Sequence, residues 1–283
     1  MPPPEVTPLA QGELGEADAR ELQALKEQIV QRAGFYCHGY KEKCLRRRLA
    51  VRMRARGIHR YADYATLLQS DPGEYDRLLA ALTINTSKFF RNPEVWDALC
   101  THVVPSLFAV RGTTVRLWSA GAAAGEEAYS LAILLLEYAR AHRLEARLKR
   151  CEVLATDIDR QSLEIARQGE YPGSAFSEMP AALRDRWLEG PRRNRVPPAA
   201  RRLVRFEEAD LLTEPLREPK HLIVCRNVII YFEREMQENL FTRFRHALVP
   251  GGYLVLGKVE TLYGRAGSWF RVVAPRERIY QRI

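Results

Sequence analysis

Apolar and polar residues follow two different patterns along the chain, one before and one after about residue 115. Between residues 18 and 83, apolar side chains recur every three or four positions, which predicts short amphipathic helices, two of them at 61–69 and 74–82. The first apolar stripe consists of Leu22, Leu25 and Ile29. This part of the sequence therefore predicts a small all-helical domain.

From about residue 115 onward, short β-rich runs alternate with helical patterns, which predicts an α/β fold with a parallel sheet and right-handed crossovers. The segment 171–205 interrupts this alternation and is rich in proline and arginine. It predicts an inserted subdomain with a helix near 180–188 and a small hairpin ending in LVRF. Strands are predicted at VRLW from Val115, CEVLAT from Cys151, HLIVC from His221 and GYLVLG from Gly252, and helices at 126–141, 160–168 and 233–247.

Composition narrows the class of protein. A chain of 283 residues can bury a core without cross-links, and its five cysteines are scattered without a CxxC pair, so neither a disulfide framework nor a metal site is predicted. A reducing cytoplasm is the expected location. The apolar runs are too short to cross a bilayer, and residues 1–18 lack the apolar core of a signal peptide. We therefore expect a disordered tail and no membrane insertion.

Positive charge is concentrated in one predicted helix. The net charge is +9, and the segment KEKCLRRRLAVRMRAR, residues 41–56, holds eight basic residues and one acidic residue. Leu45, Leu49 and Met53 form its apolar stripe, which is expected to leave the arginines facing outward. Such a surface attracts polyanions, either nucleic acid or an acidic protein surface, although a solvated helix face has the same composition.

The segment VRLWSAGAAAGEEAY, residues 115–129, is the strongest candidate for ligand binding. A predicted strand ends at Trp118, small residues follow to Gly125, and a helix opens on Glu126 and Glu127. The backbone can therefore lie close to a ligand at the carboxyl edge of the sheet. Two glutamates at the helix start disfavour phosphate but accept hydrogen bonds from amines and hydroxyls. This favours S-adenosylmethionine over a dinucleotide, with a loop that only packs the helix on the sheet as the alternative.

Two further strand ends carry candidate site residues. Asp157 ends the second strand, where a carboxylate accepts ribose hydroxyls or caps the next helix, although Asp159 is the better cap. Arg226 and Asn227 follow the strand that ends at Cys225, without the Pro-Pro motif of adenine methyltransferases. Cys225 itself does not follow proline, as the nucleophile of a cytosine methyltransferase does, and is interpreted as a core residue.

The linker LTINTSKFFRNPEVW, residues 82–96, joins the two parts of the chain. It places Asn85, Ser87 and Arg91 around the pair Phe89 and Phe90. These polar residues either contribute to the site or belong to a capped linker whose phenylalanines fill the seam between domains.

Five motifs follow in order behind the basic helical domain: LTINTSKFFRN, WSAGAAAGEEAYS, LATDID, ADLL and CRNVIIYF. Together they resemble the CheR family of chemotaxis receptor methyltransferases, over nearly the whole chain from about residue 20. The resemblance implies an N-terminal helical domain at 19–84, a linker at 85–95 that contributes to the cofactor site, and a Rossmann-like methyltransferase domain at 96–283. It also implies a small inserted antiparallel β-subdomain at about 171–205.

The resemblance also implies the activity, which is methyl transfer from S-adenosylmethionine to glutamate side chains on a receptor's cytoplasmic helices, with S-adenosylhomocysteine as product. Ser87 stands where threonine is common, and Asp210 stands where asparagine is common, which replaces an amide donor by a charge. The turn GKVE at 257–260 replaces the more usual GHSE, so no role is assigned to it. The implied cofactor-binding residues are Asn85, Ser87, Arg91, Glu127, Asp157, Asp210, Leu211, Asn227 and Val228.

Methyl transfer to a carboxylate needs few catalytic groups. The glutamate acceptor is already ionised and the sulfonium carbon already activated, so the reaction needs alignment and desolvation and no general base. We assign two catalytic residues. Arg91 positions and partly neutralises the acceptor carboxylate, and Tyr231 lines the methyl-transfer site.

Receptor methylation sites lie on acidic coiled-coil surfaces, so the resemblance gives the basic helix a partner. The expected docking residues are Arg46, Arg47, Arg48, Arg52, Arg54 and Arg56. The insert is shorter than in family members that tether to a receptor's C-terminal pentapeptide, so we expect a monomeric, pentapeptide-independent enzyme with no nucleic-acid partner. One alternative is an RNA methyltransferase. The other is a non-catalytic adaptor that senses S-adenosylmethionine, and the presence of Arg91 and Tyr231 argues against this adaptor.

Overall fold

The computed structural model describes residues 15–83, 87–213 and 218–283, which form two compact units. The first unit contains residues 15–83 together with Tyr231–Glu233, and the second contains the remainder. Asn85 and residues 1–14 of the predicted tail lie outside the described residues. Within the described ranges, no helix is both long and apolar enough to span a bilayer.

The first unit is helical, as the sequence predicts. Its core includes the predicted stripes, since Leu22, Leu25 and Ile29 are buried, as are Leu45, Leu49 and Met53. Helix α1 begins at Glu16, so the last residues of the predicted tail are helical. Within residues 15–83 the α-helices are Glu16–Ala33 (α1), Glu42–Ala55 (α2), Tyr61–Ser70 (α3) and Pro72–Leu82 (α4).

Two arginines of α2 do not face outward, which corrects the docking prediction. Arg46 is only 8% exposed and pairs with Glu42 within its own helix. Arg52 donates two hydrogen bonds to the fully buried carboxylate of Glu74, which also accepts one from the hydroxyl of Tyr64. Burial alone would raise the pKa of Glu74, but these hydrogen bonds hold it below its ordinary value. Arg52 therefore stabilises the first unit, because a buried carboxylate needs such a partner, and Arg46 is too buried to contact a receptor.

A short segment from late in the chain completes the first unit. Tyr40 forms an isolated antiparallel bridge with Phe232, and their rings lie 4.8 Å apart. The N–H of Lys41 donates to the carbonyl of Tyr231, and the N–H of Glu233 donates to the carbonyl of Gly39. The hydrophobic pattern contains no sign of this pairing, because it joins residues almost 200 positions apart.

The second unit is a seven-stranded sheet with helices packed against it, which confirms the predicted α/β fold. Its strand order is β3-β2-β1-β4-β5-β7-β6; β1 to β5 run parallel, and β7 and β6 add antiparallel at one edge. The strands are Val115–Ala120 (β1), Cys151–Asp157 (β2), Val204–Glu208 (β3), Lys220–Cys225 (β4), Leu248–Leu256 (β5), Phe270–Ala274 (β6) and Ile279–Arg282 (β7). The helices are Pro93–His102 (α5), Val104–Ala109 (α6), Glu126–His142 (α7), Glu145–Leu148 (α8), Arg160–Gln168 (α9), Ala181–Trp187 (α10), Pro198–Arg201 (α11) and Arg234–Ala247 (α12).

The insert differs from the prediction at its end. The segment LVRF does not close a hairpin, because β3 pairs parallel with β2 and forms the edge of the main sheet. Antiparallel pairing in the insert is confined to two isolated bridges, from Arg195 to Glu170 and to Glu189. The predicted helix is present as α10, which Glu137 of α7 holds by accepting hydrogen bonds from Arg186 and Trp187. An apolar run alone cannot distinguish these two kinds of strand pairing.

Candidate cofactor site

The site lies where the strand order reverses, at the carboxyl ends of β1 and β4. Open α/β sheets bind ligands at this switch point, because the helices that follow the two strands leave a crevice there. The small-residue loop, residues 121–125, follows β1 at this edge. The N–H groups of Gly121 and Ala122 both donate to the carbonyl of Thr156 at 2.9 Å, and the N–H of Gly125 donates to the carbonyl of Ala122. The loop is therefore fixed against the end of β2.

Two glycines allow this loop to close. Gly121 and Gly125 have φ of +78° and +89°, values that L-residues rarely adopt. A Cβ on Gly121 would lie 2.6 Å from Cγ2 of Val228, and one on Gly125 would lie 2.8 Å from Cβ of Ala166. Glycine is thus required at both positions for backbone geometry and for space. Val228, a predicted cofactor residue, packs directly on the loop.

The contact between Gly121 and Val228 can be measured by substitution. Gly121→Ala is expected to lower the free energy of unfolding by about 2–4 kcal/mol, the sum of the left-handed backbone cost and overpacking. Gly112→Ala is the matched control, because Gly112 has φ of +76° but open space where a Cβ would lie. It should cost only about 1 kcal/mol in denaturant unfolding. When Val228→Ala is added to Gly121→Ala, it should recover most of the difference in stability between the Gly121 and Gly112 variants. Equal losses of stability at the two glycines would contradict the contact between Gly121 and Val228.

Asp157 and Asp159 occupy different positions at the end of β2, and only Asp159 caps the following helix. Asp159 is the helix cap, since its carboxylate accepts from the N–H of Gln161 and from the hydroxyl of Ser162. Asp157 is buried at the end of β2 and accepts from the N–H of Ala123 at 2.7 Å and that of Asp159 at 2.9 Å. Burial raises the pKa of Asp157, and these backbone hydrogen bonds oppose the rise. Asp157 thereby ties the small-residue loop to β2.

The segment after β3 reaches the same edge of the sheet. The N–H of Ala209 donates to the carbonyl of Asp157 at 2.9 Å, which places Asp210 and Leu211 next to the end of β2. The carboxylate of Asp210 accepts from the N–H of Leu212 at 2.8 Å. The aspartate that stands where asparagine is common therefore makes a local turn.

Glu127 and Arg226 form a buried charged pair beneath this edge. The Ser119 hydroxyl donates to Glu127 Oε1 at 2.9 Å, and an Arg226 nitrogen lies 3.6 Å from Glu127 Oε2. Burial raises the pKa of Glu127 and lowers that of Arg226, and each charge opposes the shift of the other. Arg226 also donates to the carbonyl of Arg91 at 2.9 Å and to Asn92 Oδ1 at 2.8 Å. One guanidinium thus joins the end of β4, the start of α7 and the segment before α5.

That segment, residues 87–92, is anchored to the second unit along its length. The N–H of Phe89 donates to the carbonyl of Ala175, and the N–H of Phe90 donates to the hydroxyl of Ser130. Both phenylalanine rings are core residues. Glu178 accepts from the N–H of Asn92 at 2.7 Å and pairs with Lys88 at 3.3 Å. Ser87 and Arg91, both partly exposed, are therefore carried on a fixed backbone.

Left-handed backbone is concentrated around this site. Within the described ranges seven non-glycine residues have positive φ, and four of them surround the crevice: Phe90, Asn92, Ala123 and Asn227. Such conformations cost about 1 kcal/mol or more each and persist where hydrogen bonding and packing hold them. Strain of this kind is concentrated at functional sites, which supports this edge as the site.

Glu126, the first residue of α7, is not among the predicted cofactor-binding residues but is buried in the structure. It is 6% exposed, and its Oε2 atom has no hydrogen-bond partner among the residues that the structure describes. Burial, with a contribution from the neighbouring charge of Glu127, raises the pKa of Glu126 to about 7. Its ordinary pKa is 4.5, so the folded ligand-free chain keeps this proton over a range in which an unfolded chain releases it.

This difference predicts a pH-dependent stability. The contribution of Glu126 is fully present below pH 4.5 and is lost as the pH rises to about 7, a change of about 3 kcal/mol. Glu126→Gln should therefore raise the free energy of unfolding at pH 8 by up to about 3 kcal/mol and leave it unchanged at pH 4.5. Glu145→Gln, at the exposed start of α8, is the control. Equal effects of Glu126→Gln at both pH values in denaturant titrations would contradict this account.

The structure brings most of the predicted site residues to one edge of the second unit. These are Arg91, Glu127, Asp157, Asp210, Leu211, Asn227 and Val228, and Ser87 belongs to the same unit. Tyr231 is grouped with the first unit, so its role in methyl transfer stays a prediction. Cys225 is a fully buried core residue, as interpreted from the sequence.

Two charged residues with a clear place at this edge are not among the predicted cofactor-binding residues, although the sequence places Arg226 at the end of a strand. Arg226 is the guanidinium described above, and Glu260 is a buried carboxylate that accepts from the backbone after β4. Each follows an apolar strand run by no more than a few positions, and that signal could have identified both. Arg226 was placed at the strand end without a role, and Glu260 was given none because the turn GKVE departs from the more usual GHSE.

The donors and acceptors at this edge fit S-adenosylmethionine. Asp157 and Glu127 are carboxylates, the kind of acceptor that ribose hydroxyls and an ammonium group require, and the small-residue loop carries no bulky side chain at this edge. The start of α7 carries Glu126 and Glu127, which disfavours a phosphate there. The sheet and these acceptors therefore define the class of Rossmann-like proteins that bind a nucleoside-containing cofactor.

Family comparison narrows this class. The model described as "CheR methyltransferase, SAM binding domain" matches residues 85–279, and "CheR methyltransferase, all-alpha domain" matches residues 20–83. The chain belongs to the CheR methyltransferase family. It is an S-adenosylmethionine-dependent methyltransferase, which confirms the cofactor and the fold predicted from the sequence.

Individual relatives match along most of their length. The chain is 34% identical over 252 residues to a probable chemotaxis protein methyltransferase of Rhizobium etli, covering 86% of this chain and 92% of the relative. It is 36% identical over 258 residues to the chemotaxis protein methyltransferase of Klebsiella aerogenes, covering 87% and 84%. A relative of the same description in Borreliella burgdorferi is 29% identical over 254 residues, covering 86% and 89%.

Proposed function

We propose that this chain methylates glutamate side chains on the cytoplasmic helices of chemoreceptors, giving glutamate methyl esters. The family and the names of its relatives support a chemotaxis methyltransferase. The observation that carries the choice of a carboxylate acceptor is the placement of Arg91. Its carbonyl is held by Arg226, and its charge lies close enough to Glu127 to oppose the rise in the pKa of that carboxylate that burial causes. A cation on a fixed backbone at the crevice suits an anionic acceptor.

In this proposal the chain's own residues align the reactants. S-adenosylmethionine supplies a methyl group already activated on a sulfonium. Asp157 and Glu127 hold its hydroxyl and ammonium groups, and Asn227 and Val228 contact it from the end of β4. Arg91 orients the acceptor carboxylate and offsets its charge while water is excluded. No side chain needs to remove a proton, because a glutamate acceptor is ionised at neutral pH.

The receptor surface we propose is the exposed face of α2. Arg47 and Arg54 are exposed, Arg56 follows the helix and is also exposed, and Arg48 is half-buried. Attraction of these guanidinium groups to an acidic coiled coil would speed encounter and weaken with added salt. The limited antiparallel pairing in the insert supports binding that does not use a receptor's C-terminal pentapeptide.

A methyl-labelling experiment tests this function. The protein is incubated with radiolabelled S-adenosylmethionine and a panel of receptor cytoplasmic fragments, each with and without its last five residues. We expect base-labile label on at least one fragment, equal in the two lengths, and its loss when the mapped glutamates are changed to glutamine. Structured RNA serves as a second acceptor in the same assay. Label on RNA alone would favour an RNA methyltransferase, and cofactor binding without any labelling would favour a sensing adaptor.

A further inference from the structure

The turn after β5 carries a carboxylate that is almost completely enclosed by backbone. Glu260 is 4% exposed, and its two oxygens accept from five backbone N–H groups. Oε2 accepts from Asn227 at 3.0 Å and Gly257 at 2.6 Å. Oε1 accepts from Val228, Ile229 and Ile230 at 3.0, 2.8 and 3.3 Å.

These hydrogen bonds satisfy backbone N–H groups after β4 that have no acceptor within their own turn. The N–H groups of residues 227–230 open the short 3-10 turn Ile229–Tyr231, and the first donors of any helical turn lack partners within it. A carboxylate satisfies them with charge-assisted hydrogen bonds, which are stronger than neutral ones. The same bonds hold Asn227 at φ of +61°, a conformation that costs energy for a residue with a Cβ.

Gly257 allows the two segments to come this close. A Cβ on Gly257 would lie 2.7 Å from Glu260 Oε2 and 2.8 Å from the backbone nitrogen of Asn227. The end of β5 and the start of the segment after β4 therefore come close together because Gly257 has no side chain, and both donate to the same carboxylate oxygen. The turn is built around the carboxylate.

Glu260 has no capacity left for a ligand. A carboxylate offers about four lone-pair positions, and five N–H groups already share them. Any effect of Glu260 on the cofactor must therefore pass through the backbone that it holds. That backbone carries Asn227 and Val228, and the side chain of Val228 packs on Gly121 of the small-residue loop.

We propose that Glu260 is a positioning residue for cofactor binding, which fixes the backbone of residues 227–230 so that Asn227 and Val228 face the cofactor. The inference rests on the proposed role of Asn227 and Val228, and not on the identity of the methyl acceptor. It assigns a role to the turn GKVE, for which the sequence indicates none. Lys258 and Val259, the two central residues of the turn, are not part of the carboxylate's hydrogen bonding.

The test is cofactor affinity measured on the protein alone. In Glu260→Gln the carboxamide places an N–H₂ donor against backbone donors, so we expect the dissociation constants of S-adenosylmethionine and S-adenosylhomocysteine to rise at least about tenfold by calorimetry. Val259→Ala is the matched control on the same turn, because Val259 is 74% exposed. It should bind like the unmodified protein. No methyl acceptor is present, so the result does not depend on the receptor proposal.

Thermal unfolding of each variant separates positioning from stability. A Glu260→Gln protein that melts earlier but binds the cofactor with unchanged affinity would overturn the proposal, since a merely structural residue has that effect. If Glu260→Gln does not fold, Glu260→Asp decides. The shorter side chain keeps the charge but cannot reach both sets of donors, so its affinity should also fall, and unchanged affinity there would overturn the proposal equally.

Discussion

Arg91→Ala should lower the rate of methyl transfer by about 1,000-fold, close to abolishing turnover. A preorganised cation that offsets charge in a site shielded from water contributes roughly this much in other enzymes. Here the backbone of Arg91 is fixed because Arg226 and the indole of Trp96 both donate to its carbonyl. The side chain is therefore carried on a backbone that is already fixed before the acceptor binds. Cofactor affinity should change far less than turnover.

The measurement is a radiolabelled methyl-transfer assay at saturating cofactor, with cofactor affinity determined separately by calorimetry. Lys88→Ala is the matched control, because Lys88 lies on the same segment but pairs with Glu178. It should retain most activity. Arg91→Lys keeps the charge without the planar fork and should recover part of the rate. Full activity of Arg91→Ala would refute the catalytic role of this residue.

Asp157→Ala should raise the dissociation constant of S-adenosylmethionine by about 100-fold, while turnover at saturating cofactor falls much less. Two hydrogen bonds from ribose hydroxyls to a carboxylate are together worth about 3 kcal/mol or more. The structure adds a second reason for a large effect. Asp157 also accepts from the N–H of Ala123, so its removal leaves the small-residue loop without this anchor.

Asp159→Ala separates the site from the fold. Asp159 is buried two positions away and caps α9, so its loss should cost about 1 kcal/mol of stability with little change in cofactor affinity. Calorimetry and denaturant unfolding on both variants give the two quantities. A larger affinity loss for Asp159→Ala than for Asp157→Ala would reverse the assignment of the two aspartates.

The elements that could be predicted are those whose burial follows a regular period. Helix α9 was predicted at 160–168 and spans Arg160–Gln168, and helix α7 was predicted at 126–141 and spans Glu126–His142. The apolar residues of α9 cover one face of the helix, whereas α7 is buried on nearly all sides. Both patterns can be recognised in a short stretch of sequence. The edge strand β3 and the strands β6 and β7 were misplaced or missed. They are short and partly exposed, so their apolar pattern is weak.

Among the site residues too, some could be placed from local sequence and others could not. The placement of Glu127 and Asp157 at this edge could be predicted because Glu127 follows a recognisable loop and Asp157 ends a recognisable strand, and the carboxyl ends of neighbouring parallel strands meet at one edge. Arg46 and Arg52 were assigned outward positions from a charge run, but they meet partners that the run does not contain. A run of charges shows which residues are cationic. Whether each side chain is buried depends on the other helices that pack against it.

The sequence by itself determined the α/β fold of the second part, the helical first part, the family and the cofactor. These depend on local periodicity and on motifs that are contiguous in the chain. Only the tertiary structure decided the roles of Arg226 and Glu260, the burial of Glu126, and the pairing of Phe232 with Tyr40. Each depends on groups brought together from distant positions, because a buried charge or N–H group must find its partner wherever the packed chain places one.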